Sequence, residues 1–218
     1  MLKACIFDLD GVLTDTAEFH FQAWKKMAEE VNYDLTLEKN ELLKGVSRGA
    51  SLDLILEWAG ADPRMDLSIK NRLMDQKNKH YLGLVNTLSP TDLFPGVMDF
   101  FKEIKNQGLK IGLGSSSKNA VFILKKLGIL EWFDAISDGN NFVHGKPDPA
   151  VFIAAANMLQ EEPADCLVFE DAQAGVDAAI AAGMKCIGVG NPDNLIGAVE
   201  HIPGLQKADL KRYLALYL

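Results

Sequence analysis

The chain has 218 residues, 48% hydrophobic and 24% charged, with 22 Lys and Arg against 30 Asp and Glu and a formal net charge of -8. That apolar content supports a buried core and excludes a disordered chain, while the length suits one large domain or a core with a smaller partner. An acidic balance argues against nucleic acid or an anionic membrane as partner, yet leaves room for a phosphorylated substrate, because only the pocket must be positive.

The N-terminus, Met-Leu-Lys-Ala-Cys-Ile-Phe-Asp, runs straight into a strand expected over residues 3–9. It lacks the apolar region and cleavage site of a signal peptide, and no stretch approaches the roughly 18 apolar residues of a membrane span. A cytoplasmic protein is therefore expected, with nothing requiring more than a monomer. The rhythm then changes. Residues 16–31, 37–43, 51–60 and 66–82 read as helices with no strand among them. They form an expected helical domain over residues 16–85, inserted between residues 1–15 and 86–218. Ser89, Pro90 and Pro95 mark a linker on its far side.

Beyond that linker, short apolar runs alternate with helical patterns. A helix is predicted over Val97–Asn106 with Gly108 as its stop, then a strand over Lys110–Gly114 and a helix over 119–127 ended by Gly128. A weaker strand is expected at Ala135–Ser137, an Ala-rich helix over 148–159 with Pro149 in its first turn, and a strand over 166–169. A helix over 174–182, stopped by Gly183, leads to a strand over Lys185–Val189. Continuous apolar strands suit a parallel sheet covered on both faces. The alternation predicts an α/β fold, a Rossmann-like doubly wound parallel sheet with right-handed crossovers. Cys5, Cys166 and Cys186 sit inside these runs, are odd in number, and read as small core hydrophobes that stay reduced.

The chemistry concentrates at the first strand, in Phe7-Asp8-Leu9-Asp10-Gly11-Val12-Leu13-Thr14-Asp15-Thr16. Positions i and i+2 of an extended chain face the same side, so Asp8 and Asp10 should share one site. That site lies where open α/β sheets bind ligands, at the carboxyl ends of the strands. Gly11 allows a sharp turn after them. Two close carboxylates repel, and a cation or a raised pKa must offset that cost.

This string resembles the haloacid dehalogenase superfamily, whose other signatures follow in order. Ser115 comes after the strand ending at Gly114, Lys146 lies in Gly145-Lys146-Pro147-Asp148-Pro149, and Glu170-Asp171 closes the fourth strand. The resemblance implies Mg²⁺-dependent phosphoryl transfer with Asp8 as nucleophile. Asp8, Glu170, Asp171 and the Asp10 carbonyl would hold the metal, and the Asp10 side chain would transfer protons. Ser115 would donate to phosphoryl oxygens and Lys146 would supply positive charge.

The inserted helices resemble the superfamily's cap. Within them Lys44, Gly45, Val46, Ser47, Arg48 and Ser51 resemble the substrate loop of the β-phosphoglucomutase family, as do Thr16, His20 and Trp24 around them. Ser115, Ser116, Ser117, Lys118 and Asn119 resemble its phosphate loop, and Lys77 its cap lysine. Arg48 would clamp a distal phosphate, a geometry suited to guanidinium. Two departures stand out: Gly49-Ala50 replaces acidic residues common in relatives, and Ala172 stands where some mutases carry serine. A sugar-phosphate phosphatase on the same core, and a non-catalytic sugar-phosphate-binding protein, are the alternatives to a mutase.

Overall fold

The computed structural model describes residues 1–43, 46–62 and 64–218. Lys44 and Gly45 of the expected substrate loop therefore lie outside the described residues. Strand β1 (Ala4–Phe7) is followed by helices α1 (Ala17–Glu29), α2 (Leu37–Glu41), α3 (Arg48–Trp58) and α4 (Leu67–Val85). Alternation then begins with α5 (Val97–Asn106), β2 (Lys110–Gly114), α6 (Ala120–Lys126), β3 (Ala135–Ser137) and α7 (Ala150–Leu159). It ends with β4 (Cys166–Glu170), α8 (Gln173–Ala181), β5 (Lys185–Val189), β6 (Glu200–Ile202) and α9 (Leu210–Ala215). Elements β1–β5 and α1–α8 fall where the apolar patterning puts them, with ends displaced by a few residues. β6 and α9 were not anticipated. A three-residue edge strand holding Glu200 and His201 carries no apolar run to announce it.

The strands form one sheet in the order β3-β2-β1-β4-β5-β6, every neighbouring pair parallel. The winding reverses between β1 and β4, so the ends of these two strands flank the switch point where such sheets bind ligands. Asp8 follows one end, and Glu170 and Asp171 stand at the other.

Side chains alternate between the two faces. Ala4 and Ile6 of β1, with Cys166 and Val168 of β4, join Phe152, Ala155, Leu159, Val176 and Ala179 on one side. Cys5 and Phe7, with Leu167 and Phe169, join Phe100, Phe101, Ile104, Ile123 and Tyr213 on the other. The three cysteines are buried, unpaired thiols, and burial pushes the Cys166 thiol up to about 12.

Helices α1 to α4 enclose their own apolar cluster of Trp24, Met27, Leu35, Leu52, Ile55, Leu56 and Leu73. Side-chain oxygens start three of them: Thr36 accepts from Lys39 N, Ser47 from Ala50 N and Asp66 from Ser68 N. The chain enters and leaves this helical unit along one narrow stalk. Phe94 N donates to Leu13 O at 2.9 Å, and Thr14 Oγ1 donates to Asp92 O at 2.8 Å. Among the described residues, no helix is long and apolar enough to cross a membrane.

Candidate active site

The acidic strand ends rest on an aromatic platform. The Phe7 ring stacks on Phe169 at 4.7 Å between centroids and touches Phe101 at 5.1 Å and Phe100 at 6.1 Å. Phe7 precedes Asp8, and Phe169 precedes Glu170. Ring packing on one face thus fixes the register of the two strand ends that carry the acids.

Above the platform, Lys146 reaches in from the loop before α7. Its side chain is fully buried, donating to Asp8 Oδ1 at 2.6 Å and to Glu170 Oε1. Burial alone would lower the lysine pKa, but Asp8 and Glu170 outweigh it and hold the ammonium above its ordinary value. Burial pushes the Glu170 carboxyl up, and Lys146 pulls it back. Glu170 Oε2 also accepts from Ala172 N at 2.9 Å.

Two glycines make room for this cluster. A Cβ on Gly11, whose φ is +85°, would lie 2.0 Å from Asp171 Oδ2, and one on Gly175 would lie 1.8 Å from Glu170 Oε1. Asp8, Glu170 and Asp171 can each offer an oxygen within 4.8 Å of the others. Hard carboxylate oxygens gathered this tightly fit a divalent cation such as Mg²⁺. The Asp10 side chain takes no part in that cluster.

Asp10 turns instead toward the helical unit. It accepts from Thr16 Oγ1, which in turn accepts from the Tyr81 hydroxyl at 3.4 Å. Burial, then the Asp8 charge, raises its pKa to about 7. His20 stands next to it, with Nε2 3.9 Å from Asp10 Oδ2 and no hydrogen-bond partner. The other ring nitrogen, Nδ1, lies 3.1 Å from Lys77 Nζ. When Lys77 donates to Nδ1, the ring proton sits on Nε2 and faces Asp10. Burial, Lys77 and Arg48 hold the imidazole pKa well below its usual value, so the ring is neutral.

Lys77 itself is 3% exposed, with Nζ over the rings of Trp24 (4.7 Å) and Tyr81 (4.5 Å). Burial, then Arg48, lowers its pKa from 10.5 to about 7. A group depressed this way destabilises the fold most when charged, below about pH 7, and the cost fades as pH rises toward 10.5. Lys77→Met should therefore raise the melting temperature by several degrees at pH 6 and by much less at pH 10. An equal gain at both values, read by calorimetry, would exclude a buried charge as its source.

A cavity of about 270 Å³ joins these parts, a size for a small metabolite. Of the sequence-predicted residues, Asp8, Asp10, His20, Trp24, Val46, Arg48, Ser51, Lys77, Ser115, Ser116, Ser117, Lys118, Asn119 and Asp171 line it. Thr16, Lys146 and Glu170 lie behind the wall, hydrogen-bonded to lining residues or to each other. Ser47 is turned to capping α3. The phosphate loop is shaped by Ser115 Oγ accepting from Ser117 N and Ser117 Oγ from Asn119 N. Asn40, Leu43 and Phe94 also line the cavity and were missed. Asn40 sits in a five-residue helix where one polar residue among others gives no signal.

Comparison with known proteins gives the same picture. A family model described as haloacid dehalogenase-like hydrolase matches residues 2–183. The β-phosphoglucomutase of Bacillus subtilis (strain 168) is 48% identical over 197 residues, 90% of this chain and 87% of that protein. A phosphorylated carbohydrates phosphatase of Thermotoga maritima is 29% identical over 188 residues, 85% of this chain and 84% of that protein. Among solved structures, β-phosphoglucomutase from Clostridium difficile matches with a TM-score of 0.96 at 39% identity, covering 100% of this chain and 97% of that one.

Proposed function

The chain belongs to the haloacid dehalogenase-like hydrolase family, and from that premise we propose that it is a β-phosphoglucomutase. It interconverts β-D-glucose 1-phosphate and glucose 6-phosphate through β-glucose 1,6-bisphosphate. One observation carries this assignment: a single cavity is lined both by Asp8, Asp10 and Asp171 and by Arg48, Lys118 and Asn119. The acidic group suits phosphoryl transfer. The cationic and amide group suits a second phosphate on the same sugar. The 48% identity to a β-phosphoglucomutase supports glucose as that sugar.

The residues divide the work. Phosphorylated Asp8 passes its phosphoryl group to the C6 hydroxyl of glucose 1-phosphate, and Asp10 takes the hydroxyl proton. The bisphosphate turns over within the site. The Asp8 carboxylate then attacks the C1 phosphorus, the P–O bond to C1 breaks, and Asp10 returns its proton to that oxygen. A carboxyl with a pKa near 7 can serve both directions. Thr16 and His20 aim it. Ser115 and the phosphate-loop amides receive phosphoryl oxygens, and Lys146 balances charge on Asp8. Asp8, Glu170, Asp171 and the Asp10 carbonyl would hold Mg²⁺, which when bound reduces repulsion between the carboxylate and an anionic ester.

The helical unit acts as the cap. Arg48, Lys118 and Asn119 hold the distal phosphate, Val46 and Ser51 shape the sugar pocket, and closure keeps water from phospho-Asp8. The three buried thiols accord with a reducing compartment such as the cytoplasm.

The test is to supply β-glucose 1-phosphate, Mg²⁺ and a trace of glucose 1,6-bisphosphate, and to follow glucose 6-phosphate and free phosphate together. Rapid glucose 6-phosphate with little free phosphate is expected. Free phosphate without isomerisation would make the protein a phosphatase on the same core.

A further inference from the structure

Asn78 is the next residue after Lys77 on α4, and neither the mechanism above nor the sequence motifs use it. Its Oδ1 accepts from Arg48 Nη2 at 2.8 Å and from Asn119 Nδ2 at 2.8 Å. One neutral oxygen thus joins three elements. Arg48 opens α3, Asn78 lies within α4, and Asn119 precedes α6 of the sheet domain. Both donors line the cavity. The contact is part-buried at each bond and ties the helical unit to the phosphate loop.

We propose that Asn78 is a positioning residue that holds the place of a distal phosphate oxygen, keeping Arg48 and Asn119 aligned until the substrate takes both donors from it. This inference rests on the mutase assignment, in which those two residues receive the distal phosphate.

The chemistry favours the exchange. An amide oxygen and a phosphate oxygen offer the same acceptor geometry to a guanidinium and a carboxamide. The phosphate adds charge, and charge-assisted hydrogen bonds are roughly twice as strong as neutral ones. A neutral placeholder therefore orders the donors and still yields to the substrate. Ordering them beforehand lowers the entropic cost of binding. A carboxylate at the same position would not yield, because it would form an ion pair with Arg48. An alanine would leave the donors unaligned and the α4–α6 tie broken.

The experiment measures affinity for glucose 6-phosphate by calorimetry with Mg²⁺ present, for wild type, Asn78→Ala and Asn78→Asp, each with Arg48 intact and with Arg48→Ala. Steady-state kcat and KM are taken on the same proteins. Asn78→Asp, which keeps the side-chain shape, should weaken binding about tenfold or more, and Asn78→Ala about threefold. Both changes should fall on KM more than on kcat and should shrink in the Arg48→Ala background, since the partner is gone. Wild-type affinity in Asn78→Asp, or an undiminished loss without Arg48, would overturn the placeholder role. A wild-type protein that binds no glucose 6-phosphate would overturn the mutase assignment instead, and that result is read before any variant is compared.

Discussion

Asp8→Asn should abolish isomerisation, lowering turnover by at least about 10⁴-fold, while the protein stays folded and melts no lower than wild type. The chemical half follows from the nucleophile. An amide oxygen cannot form the acyl phosphate that both half-reactions share, and the neighbouring carboxylates are engaged elsewhere. Asp10 is bound to Thr16, and Glu170 is engaged by Lys146 and the Ala172 amide. The stability half follows from charge. Asp8 and Glu170 share one buried ammonium, and Asp171 offers a third carboxylate oxygen within 4.8 Å of theirs. Neutralising one removes like-charge repulsion, and asparagine keeps the shape and an acceptor for Lys146. Turnover and thermal melting on one preparation test both halves. Wild-type turnover in Asp8→Asn would remove the nucleophile assignment. A large drop in melting temperature would show that Asp8 is chiefly a structural partner of Lys146.

Much of this site was legible because its parts are local. The Asp8-Leu9-Asp10-Gly11 string lies within one strand end, where a period of two decides which side chains share a face. Core alternation was legible for the same reason. What stayed hidden depends on distance along the chain. Lys146 meets Asp8 across 138 positions and Glu170 across 24. The motif placed Lys146 in the active site, but no periodicity could show that it would be buried between two acids. Gly175 looks like an ordinary glycine in an Ala-rich helix until its missing Cβ leaves room for Glu170. Asn78 is one polar residue among several on α4, and only the meeting of α3, α4 and α6 gives it meaning.

Lys146→Met should have the largest effect on stability, costing about 3–5 kcal/mol near pH 8, and should also lower turnover by roughly 10²-fold or more. Methionine reproduces the lysine side chain out to Cε and leaves an apolar end near the Phe152 ring, over which Nζ now lies at 4.9 Å. What it removes is the charge. Asp8 is 7% exposed and Glu170 0%, so neither can recover its hydration when the ammonium goes. Burial already raises the Glu170 pKa, and the lysine is the main influence pulling it down. Without that lysine the folded-state pKa of Glu170 climbs further above the unfolded value. A group raised in this way destabilises little below its unfolded pKa, where both states are protonated. The loss then grows as pH rises through the folded pKa. The gap between wild type and Lys146→Met should accordingly be small near pH 5 and full near pH 8. Mg²⁺ should narrow it at pH 8, because a cation held by Asp8, Glu170 and Asp171 offsets the same charge. Melting curves at the two pH values, with and without Mg²⁺, decide the matter. A gap independent of pH would mean that methionine fails through packing, and that Lys146 is not the counter-charge on which the acidic cluster depends.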